Sequence, residues 1–247
     1  MINKTIHQTW KDKNIPDHFL PWIKSWKDTH PDWEYKLWTD DDNRRLIKEK
    51  YEWFLPTYDN YEFNIQRADA IRCFILYEYG GLYADVDIWC AKDTSPLFSD
   101  VTDCALFYEN PNHCLKDRFL NTDIFTNSIM YSVKGSKFML KLMKTMSKNE
   151  YMYEPFDNDA KETTDENLRV IYSTGPGFIT TMYYRYNSLI DGISPISHRC
   201  FEYCTQAERY TKLDNSDYDI PDDGYGIHWM VNTWLTGRNA NSKYKFK

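Results

Sequence analysis

Apolar residues recur at steps of three and four between Asn64 and Tyr79, which is the period of a helix with a buried face. Gly80 and Gly81 follow directly, and we expect them to end this helix because glycine adopts the left-handed conformation at little steric cost. Residues 82–84 are apolar and aromatic and predict a short strand. The pattern therefore predicts a helix, a two-glycine stop and a strand that opens into a loop at Asp85.

The helical period and the alternating period of strands predict the elements of the rest of the chain. Strands are predicted at residues 4–10, 33–38, 88–90, 104–109, 124–133 and 169–172, in 193–204 together with a turn, and at 225–229. Helices are predicted within residues 15–26, 39–51, 135–146 and 175–186, and loops at 110–121, 149–168 and 211–224. Strands that alternate with helices predict an α/β domain with a mostly parallel sheet, whose ligands bind beyond the carboxyl ends of the strands.

Candidate chemistry lies at the end of the strand that follows the glycines. Asp85 and Asp87 fall on the same side of an extended chain, with Val86 on the other side. Two carboxylates so close repel each other unless a cation lies between them or one of them is protonated. Solvated loop charges are the simpler interpretation of such a pair. At the mouth of a sheet, however, the pair makes a hard oxygen site suited to Mn²⁺ or Mg²⁺.

A second charged pair lies within the predicted central helix. Asp69 and Arg72 are three residues apart and therefore share one face of that helix. An exposed ion pair of this kind adds only a few tenths of a kcal/mol. Both residues stand among apolar neighbours, where charges need a partner or a ligand, and we therefore interpret them as functional.

Composition narrows the class of protein. The 247 residues, of which 42% are hydrophobic, are enough for one domain with a sizeable core. A formal net charge of −7 argues against nucleic acid as a main partner. We expect no transmembrane segment, because no apolar run approaches eighteen residues, and the N-terminus lacks a signal-peptide pattern. The six cysteines show no metal-binding spacing, so we expect them to be reduced in a cytoplasmic protein.

Two stretches together resemble a known family. Residues 68–72, with the sequence ADAIR, and residues 79–87, with the sequence YGGLYADVD, resemble the DxD signature of the nucleotide-sugar glycosyltransferases of family 32. Fungal initiating mannosyltransferases, inositol-phosphoceramide mannosyltransferases and bacterial capsule or lipopolysaccharide transferases belong to that family. The resemblance implies a GT-A fold in a single domain of residues 1–247. It also implies a nucleotide-sugar-binding half, residues 1–109, and an acceptor-side half, residues 110–247, in which residues 149–168 form an acceptor-side loop or lid.

The resemblance also implies roles for individual residues. The implied nucleotide-sugar-binding residues are Gln8, Thr9, Trp10, Asp69, Arg72, Gly81, Asp85 and Trp234. The implied catalytic residues are Asp87, Arg72 beside the diphosphate, and Asn127 beneath the sugar, with Asp123 as the second choice for that place. His228, in a segment that matches the family's terminal histidine and tryptophan pattern, is implied to complete the metal site of Asp85 and Asp87 through a neutral ring nitrogen.

The function implied is transfer of a sugar from a UDP- or GDP-linked donor to a glycan, a lipid-linked acceptor or another hydroxyl, assisted by Mn²⁺ or Mg²⁺. Its relatives imply retention of the anomeric configuration and an α-linkage. Two alternatives stay open: a metal-dependent phosphoesterase, and a noncatalytic module that binds a sugar or a nucleotide. Without a membrane anchor, we expect a bacterial or viral type of enzyme that is cytoplasmic or peripheral to a membrane.

Overall fold

The computed structural model describes residues 2–112, 123–148, 166–214 and 217–231. The strands are Thr5–Thr9 (β1), Glu34–Trp38 (β2), Gly81–Ala84 (β3), Ile88–Cys90 (β4), Cys104–Tyr108 (β5), Phe125–Ser132 (β6), Ile193–Ile196 (β7) and Gly226–His228 (β8). The helices are Leu20–Thr29 (α1), Asp40–Lys50 (α2), Leu55–Asp59 (α3), Asn64–Tyr79 (α4), Lys137–Met146 (α5), Glu166–Ser173 (α6), Pro176–Tyr186 (α7) and Gln206–Asp214 (α8).

Six of the strands form one sheet in the order β2-β1-β3-β6-β5-β7. The pairs β1–β2, β1–β3 and β5–β7 are parallel, whereas β6 runs antiparallel to both β3 and β5. The predicted mostly parallel α/β sheet is therefore confirmed, with one reversed strand among the six. The predicted strand at residues 88–90 also exists, but β4 pairs with β8 in a separate two-stranded ribbon.

The central helix and its glycine stop are as predicted. α4 covers Asn64–Tyr79, and its last turn is closed by the Gly80 N–H, which donates to the Leu76 carbonyl. Gly80 and Gly81 have φ values of +66° and +98°, a region that L side chains rarely adopt. A Cβ on Gly81 would collide with the carbonyl oxygen of Thr5. The second glycine is therefore required for the close approach of β1 to β3.

Side chains that alternate along the strands fill two separate cores. Tyr83 and Met130 point to one face of the sheet, where they pack with residues of α2, α4, α5 and α7. Leu82, Ala84 and Ile129 point to the other face, where they pack with residues of α1 and β4. Burial on both faces explains why these strands read as nearly continuous apolar runs. The sheet is thus packed between two layers. The carboxyl end of β3, which Asp85 follows, is therefore held in a fixed position.

Two predicted elements were wrong. Residues 169–172 were predicted as a strand, but they lie within α6. Val170, Ile171 and Tyr172 are consecutive and buried against neighbouring helices, and such a short apolar run fits either a strand or a buried helix. The predicted loop at 211–224 begins too early, because α8 extends to Asp214. The predicted loops at 110–121 and 149–168 lie mostly outside the described residues.

In the described part of the chain, no helix has both the length and the apolar character needed to cross a membrane.

Candidate active site

The acidic pair lies just beyond the end of β3, where the chain leaves the sheet. The Asp85 N–H donates to the Ser128 carbonyl on the reversed strand β6 at 2.8 Å, and the Gln8 side-chain amide donates to the Asp85 carbonyl at 3.1 Å. Val86, between the two aspartates, is buried in an apolar cluster with residues of α1 and β8. The Ile88 N–H donates to the Asp85 carbonyl at 3.1 Å, so a turn at residues 86–87, and not the extended chain that the alternation assumes, brings Asp85 and Asp87 together.

The ribbon formed by β4 and β8 brings His228 to the same place. One oxygen of Asp85, one oxygen of Asp87 and one ring nitrogen of His228 all lie within 4.8 Å of one another. Across the described residues, this is the one group of three or more His, Cys, Asp or Glu side chains with such a spacing. The two carboxylates are hard oxygen donors that suit Mn²⁺ or Mg²⁺, and the imidazole nitrogen, a ligand more typical of transition metals, makes the set fit Mn²⁺ better than Mg²⁺.

The charge balance around His228 also suits a cation. Its Nε2 atom lies 3.6 Å from Asp87 Oδ1, and the other oxygen of Asp87 accepts a hydrogen bond from the Val231 N–H at 2.9 Å. Burial lowers the pKa of His228, but the carboxylates of Asp87 and Glu202 outweigh it, and the net shift is upward. The acidic surroundings therefore favour positive charge at this point, which either a proton or a metal ion can supply.

Asp85 is also held by residues of the central helix and of its own strand. The Tyr83 hydroxyl donates to Asp85 Oδ1 at 2.6 Å and is itself 2.9 Å from the Thr9 hydroxyl. Arg72 Nη2 lies 3.0 Å from the same Asp85 oxygen. Burial raises the pKa of Asp85, and the positive charge of Arg72 opposes that shift. These contacts fix the orientation of the carboxylate before any ligand arrives.

Asp69, Arg72 and Asn127 form a buried network beside this carboxylate. Arg72 Nη1 lies 2.9 Å from Asp69 Oδ1 and donates to the Asn127 carbonyl at 3.0 Å. The Asn127 side-chain amide donates to the same Asp69 oxygen at 2.9 Å, and the Thr174 hydroxyl donates to the other oxygen at 3.3 Å. Burial raises the pKa of Asp69 to about 6, although Arg72 opposes it. Asp69 and Arg72 are therefore a buried pair that joins this network to the acidic pair.

Three candidates lie at or just after the end of β1, and two of them contact residues of the acidic site. Gln8 is fully buried, and its side chain bridges the Asp85 carbonyl and the Tyr35 hydroxyl, the latter at 2.8 Å. Thr9 reaches the site through Tyr83. Trp10 packs against Phe19 with ring centroids 5.1 Å apart. Gln8 contacts Asp85 directly and Thr9 contacts it through Tyr83, whereas Trp10 contacts Phe19 and not the acidic pair.

The remaining candidates lie elsewhere. Gly81 is at the start of β3, the opposite end of that strand from Asp85, so the structure does not bring it to the site. Asp123 is exposed, and its carbonyl accepts a hydrogen bond from the Tyr184 hydroxyl at 3.1 Å. Trp234 lies outside the described residues.

Sequence reasoning missed two residues that contact the site directly. Tyr83 precedes Asp85 by two residues, and period-two alternation places the two side chains on the same side of the strand, which was a usable signal. Glu202 lies 2.9 Å from His228 Nδ1 and is only 2% exposed. It stands in a stretch without regular periodicity, far from His228 along the chain, so no local pattern could have indicated it.

Comparison with known proteins identifies the family of the chain. The model of a family described as a glycosyltransferase sugar-binding region containing the DXD motif matches residues 16–102. That range includes Asp69, Arg72, Asp85 and Asp87. The chain belongs to this glycosyltransferase family. The resemblance inferred from residues 68–72 and 79–87 is thereby confirmed.

Two curated relatives of this chain are proteins of one yeast. Inositol phosphoceramide mannosyltransferase 3 of Schizosaccharomyces pombe is 36% identical over 191 residues, which is 77% of this chain and 47% of that protein. Inositol phosphoceramide mannosyltransferase 2 of the same yeast is 36% identical over 234 residues, which is 95% of this chain and 58% of that protein. The chain thus spans about half the length of the curated relatives it matches.

A solved structure supports the fold. The ligand-free glycosyltransferase domain of the YGT toxin superimposes with a TM-score of 0.51 at 11% identity, over 79% of this chain and 80% of that domain. Identity this low bears on the fold alone. The chain has the GT-A fold, as the resemblance implies.

Proposed function

We propose that this chain is a metal-dependent glycosyltransferase that moves a hexosyl group from a nucleoside-diphosphate sugar to a hydroxyl acceptor. The observation that carries the proposal is the convergence of Asp85, Asp87 and His228 within 4.8 Å of one another, at the mouth of the sheet. The buried pair of Asp69 and Arg72 directly beside them supports it, because a charged network without an evident structural task is typical of an active site.

The names of the relatives guide the choice of donor and acceptor. The two yeast proteins are named as mannosyltransferases that act on inositol phosphoceramide, a lipid that carries hydroxyl groups. We therefore place mannose first among the donor sugars and a glycan or lipid-linked hydroxyl first among the acceptors. Both GDP- and UDP-linked donors belong in the test, because the cation at the acidic pair would bind the diphosphate that both donors contain.

Each residue of the candidate site has a proposed role in the transfer. A divalent cation held by Asp85, Asp87 and His228 would stabilise the negative charge that grows on the departing diphosphate. Arg72, a buried cation 3.0 Å from Asp85, adds positive charge on the same side. Asp69 and Asn127 orient the sugar, with Asn127 beneath the anomeric carbon. Correct orientation of donor and acceptor is worth about 7–11 kcal/mol of the barrier.

Three finer features belong to the proposal. Transfer proceeds with retention, by attack from the face that the diphosphate leaves, and gives an α-linkage. The donor is bound chiefly by residues 1–109 and the acceptor chiefly by residues 110–247. The cation is Mn²⁺ or Mg²⁺, because the carboxylate donors are hard oxygen ligands.

The experiment is nucleotide release from a panel of GDP- and UDP-sugars in the presence of Mn²⁺, with GDP-mannose and UDP-glucose as the first two members. We expect release from one donor, loss of that release in EDTA, and recovery when Mn²⁺ is restored. Asp87→Asn is the matched inactive control. NMR of the product, which reads the anomeric configuration from the one-bond carbon–proton coupling constant at C1, tests retention.

The alternatives give different results in the same panel. A noncatalytic module would bind a nucleotide sugar without releasing nucleotide. A phosphoesterase would hydrolyse simple phosphoesters, such as p-nitrophenyl phosphate, at least as fast as nucleotide sugars. A two-metal phosphoesterase would need a second ligand cluster, and the described ranges contain only the one formed by Asp85, Asp87 and His228.

A further inference from the structure

The ring of His228 is held between two carboxylates on opposite sides. Its Nε2 atom faces the acidic pair, 3.6 Å from Asp87 Oδ1. Its Nδ1 atom faces Glu202 Oε1 at 2.9 Å. His228 and Glu202 are 7% and 2% exposed, so both contacts are shielded from water. The proposed function uses the first contact and leaves the second without a role.

Glu202 is fixed so that its Oε1 atom points at the histidine. Its other side-chain oxygen accepts a hydrogen bond from the Asn110 N–H at 3.0 Å. Its main chain is held on both sides: the Glu202 N–H donates to the His198 carbonyl at 2.7 Å, and the Asn110 side chain donates to the Glu202 carbonyl at 2.7 Å. The carboxylate therefore cannot turn away from His228 without breaking a buried hydrogen bond.

This arrangement determines which ring nitrogen carries the hydrogen. A carboxylate only accepts hydrogen bonds, so its partner Nδ1 must carry the hydrogen, and in the neutral ring Nε2 keeps its lone pair. That lone pair faces Asp85 and Asp87. The Ser128 hydroxyl also approaches Nδ1, at 3.4 Å, but a hydroxyl can donate or accept and does not select a tautomer.

We propose that Glu202 is a positioning residue that fixes the tautomer and orientation of His228, so that Nε2 is presented to the cation. This inference rests on the proposed function, since it assumes that His228 is a metal ligand. A partner of this kind typically alters metal affinity by about 10–100-fold when it is lost, because the ligand ring is no longer fixed.

Glu202→Gln is a sharp test because the amide has only one acceptor oxygen. In the native protein two N–H donors, those of Asn110 and of His228, each have a carboxylate oxygen. If the glutamine oxygen stays with the Asn110 N–H, its NH₂ group faces Nδ1. Nδ1 must then accept, and the hydrogen moves to Nε2, where it blocks the metal lone pair. The substitution keeps the size of the side chain and replaces the hydrogen-bond acceptor that faces Nδ1 with a donor.

The first measurement is the pair of ring ¹⁵N shifts of His228 in metal-free protein, at a pH where those shifts show the ring to be neutral. A His228→Asn spectrum identifies the signals. We expect the Nδ1–H tautomer in the native protein and the Nε2–H tautomer in Glu202→Gln. The Nε2–H tautomer in the native protein would overturn the inference, and this reading holds even if the variant does not fold.

The second measurement is the Mn²⁺ dissociation constant, taken from the EPR signal of free Mn²⁺. We expect Glu202→Gln to weaken binding about 10–100-fold. Glu78→Gln makes the same chemical change at the far end of α4, where Glu78 pairs with Lys50, and should leave binding unchanged. Ser128→Ala should leave the tautomer unchanged. Native Mn²⁺ affinity in Glu202→Gln would refute the role of Glu202. So would a change of tautomer in Ser128→Ala that Glu202→Gln does not show.

The two measurements separate this inference from the proposed function. If the native protein shows the Nδ1–H tautomer but binds no Mn²⁺, with or without nucleotide, the metal proposal fails while the positioning contact stands. If Mn²⁺ binds, and His228→Asn weakens that binding while Glu202→Gln leaves it unchanged, the metal proposal stands. The inference about Glu202 then fails.

Discussion

His7 links the strand β1 to the glycine stop of the central helix, and its protonation should weaken the fold. The ring is fully buried. Its Nε2 atom is 2.9 Å from the Gly80 carbonyl, and its Nδ1 atom accepts from the Trp38 indole at 3.1 Å. Only the neutral ring with its hydrogen on Nε2 satisfies both contacts. Burial lowers the pKa of His7 to about 4.

The sign and size of the effect follow from the two pKa values. The unfolded chain has a histidine pKa of 6.5, so above that pH both states are neutral and the full stability is present. As the pH falls below 6.5, His7 of the unfolded state binds a proton, whereas His7 of the folded state stays neutral until about pH 4. The folded state therefore loses stability relative to the unfolded state over this range. Between pH 7.5 and 4.5 this one group should lower the free energy of unfolding by about 2.5 kcal/mol.

Urea unfolding of the native protein and of His7→Gln at these two pH values measures the effect. Glutamine can donate to the Gly80 carbonyl and accept from the Trp38 indole, but it does not titrate in this range. We expect the free energy of unfolding of the native protein to fall by about 2.5 kcal/mol more than that of the variant. His18→Gln, at a partly exposed histidine, should change the pH dependence far less.

Equal pH dependence in the native protein and in His7→Gln would refute this reasoning. It would mean that the buried ring is not held neutral, and that acid unfolding begins at other groups.

Three further predictions concern the site and its frame. Asp85→Asn or Asp87→Asn should each lower the initial rate of transfer at least about a hundredfold with little change in the urea midpoint, and full native activity in EDTA would contradict this. Gly81→Ala should destabilise the fold by about 2 kcal/mol more than Gly135→Ala in urea unfolding, because both have positive φ but only the first would collide with a neighbouring strand. Tyr83→Phe removes the donor to Asp85 and should weaken Mn²⁺ binding roughly tenfold in titration; native affinity would show that the hydroxyl is dispensable.

Features with a local cause were predictable from the sequence. The central helix α4, the stop at Gly80 and the strand β3 depend on periodicity and on glycine conformation, and all three lie where the pattern places them. The proximity of Asp85 and Asp87 was predicted from alternation along an extended chain, but the structure produces it with a turn at residues 86–87. The resemblance added His228, which the structure brings to the acidic pair.

Features that depend on distant parts of the chain were not predictable. The residues of α6 have strand-like composition, and only their burial against neighbouring helices makes a helix the better solution. The reversal of β6 follows from its pairing with β3 and β5, which no single segment encodes. Glu202 and Asn110 meet at His228 only after three separate segments have folded together.

The reversed strand β6 imposes a limit on how this domain can vary. Two consecutive residues of that strand serve opposite faces of the sheet: the Asn127 side chain contacts Asp69, and the Ser128 side chain approaches His228. Because side chains alternate, a shift of the strand by a single residue would exchange these two positions and dismantle both contacts. The register of β6 against β3 is therefore a condition for both halves of the candidate site.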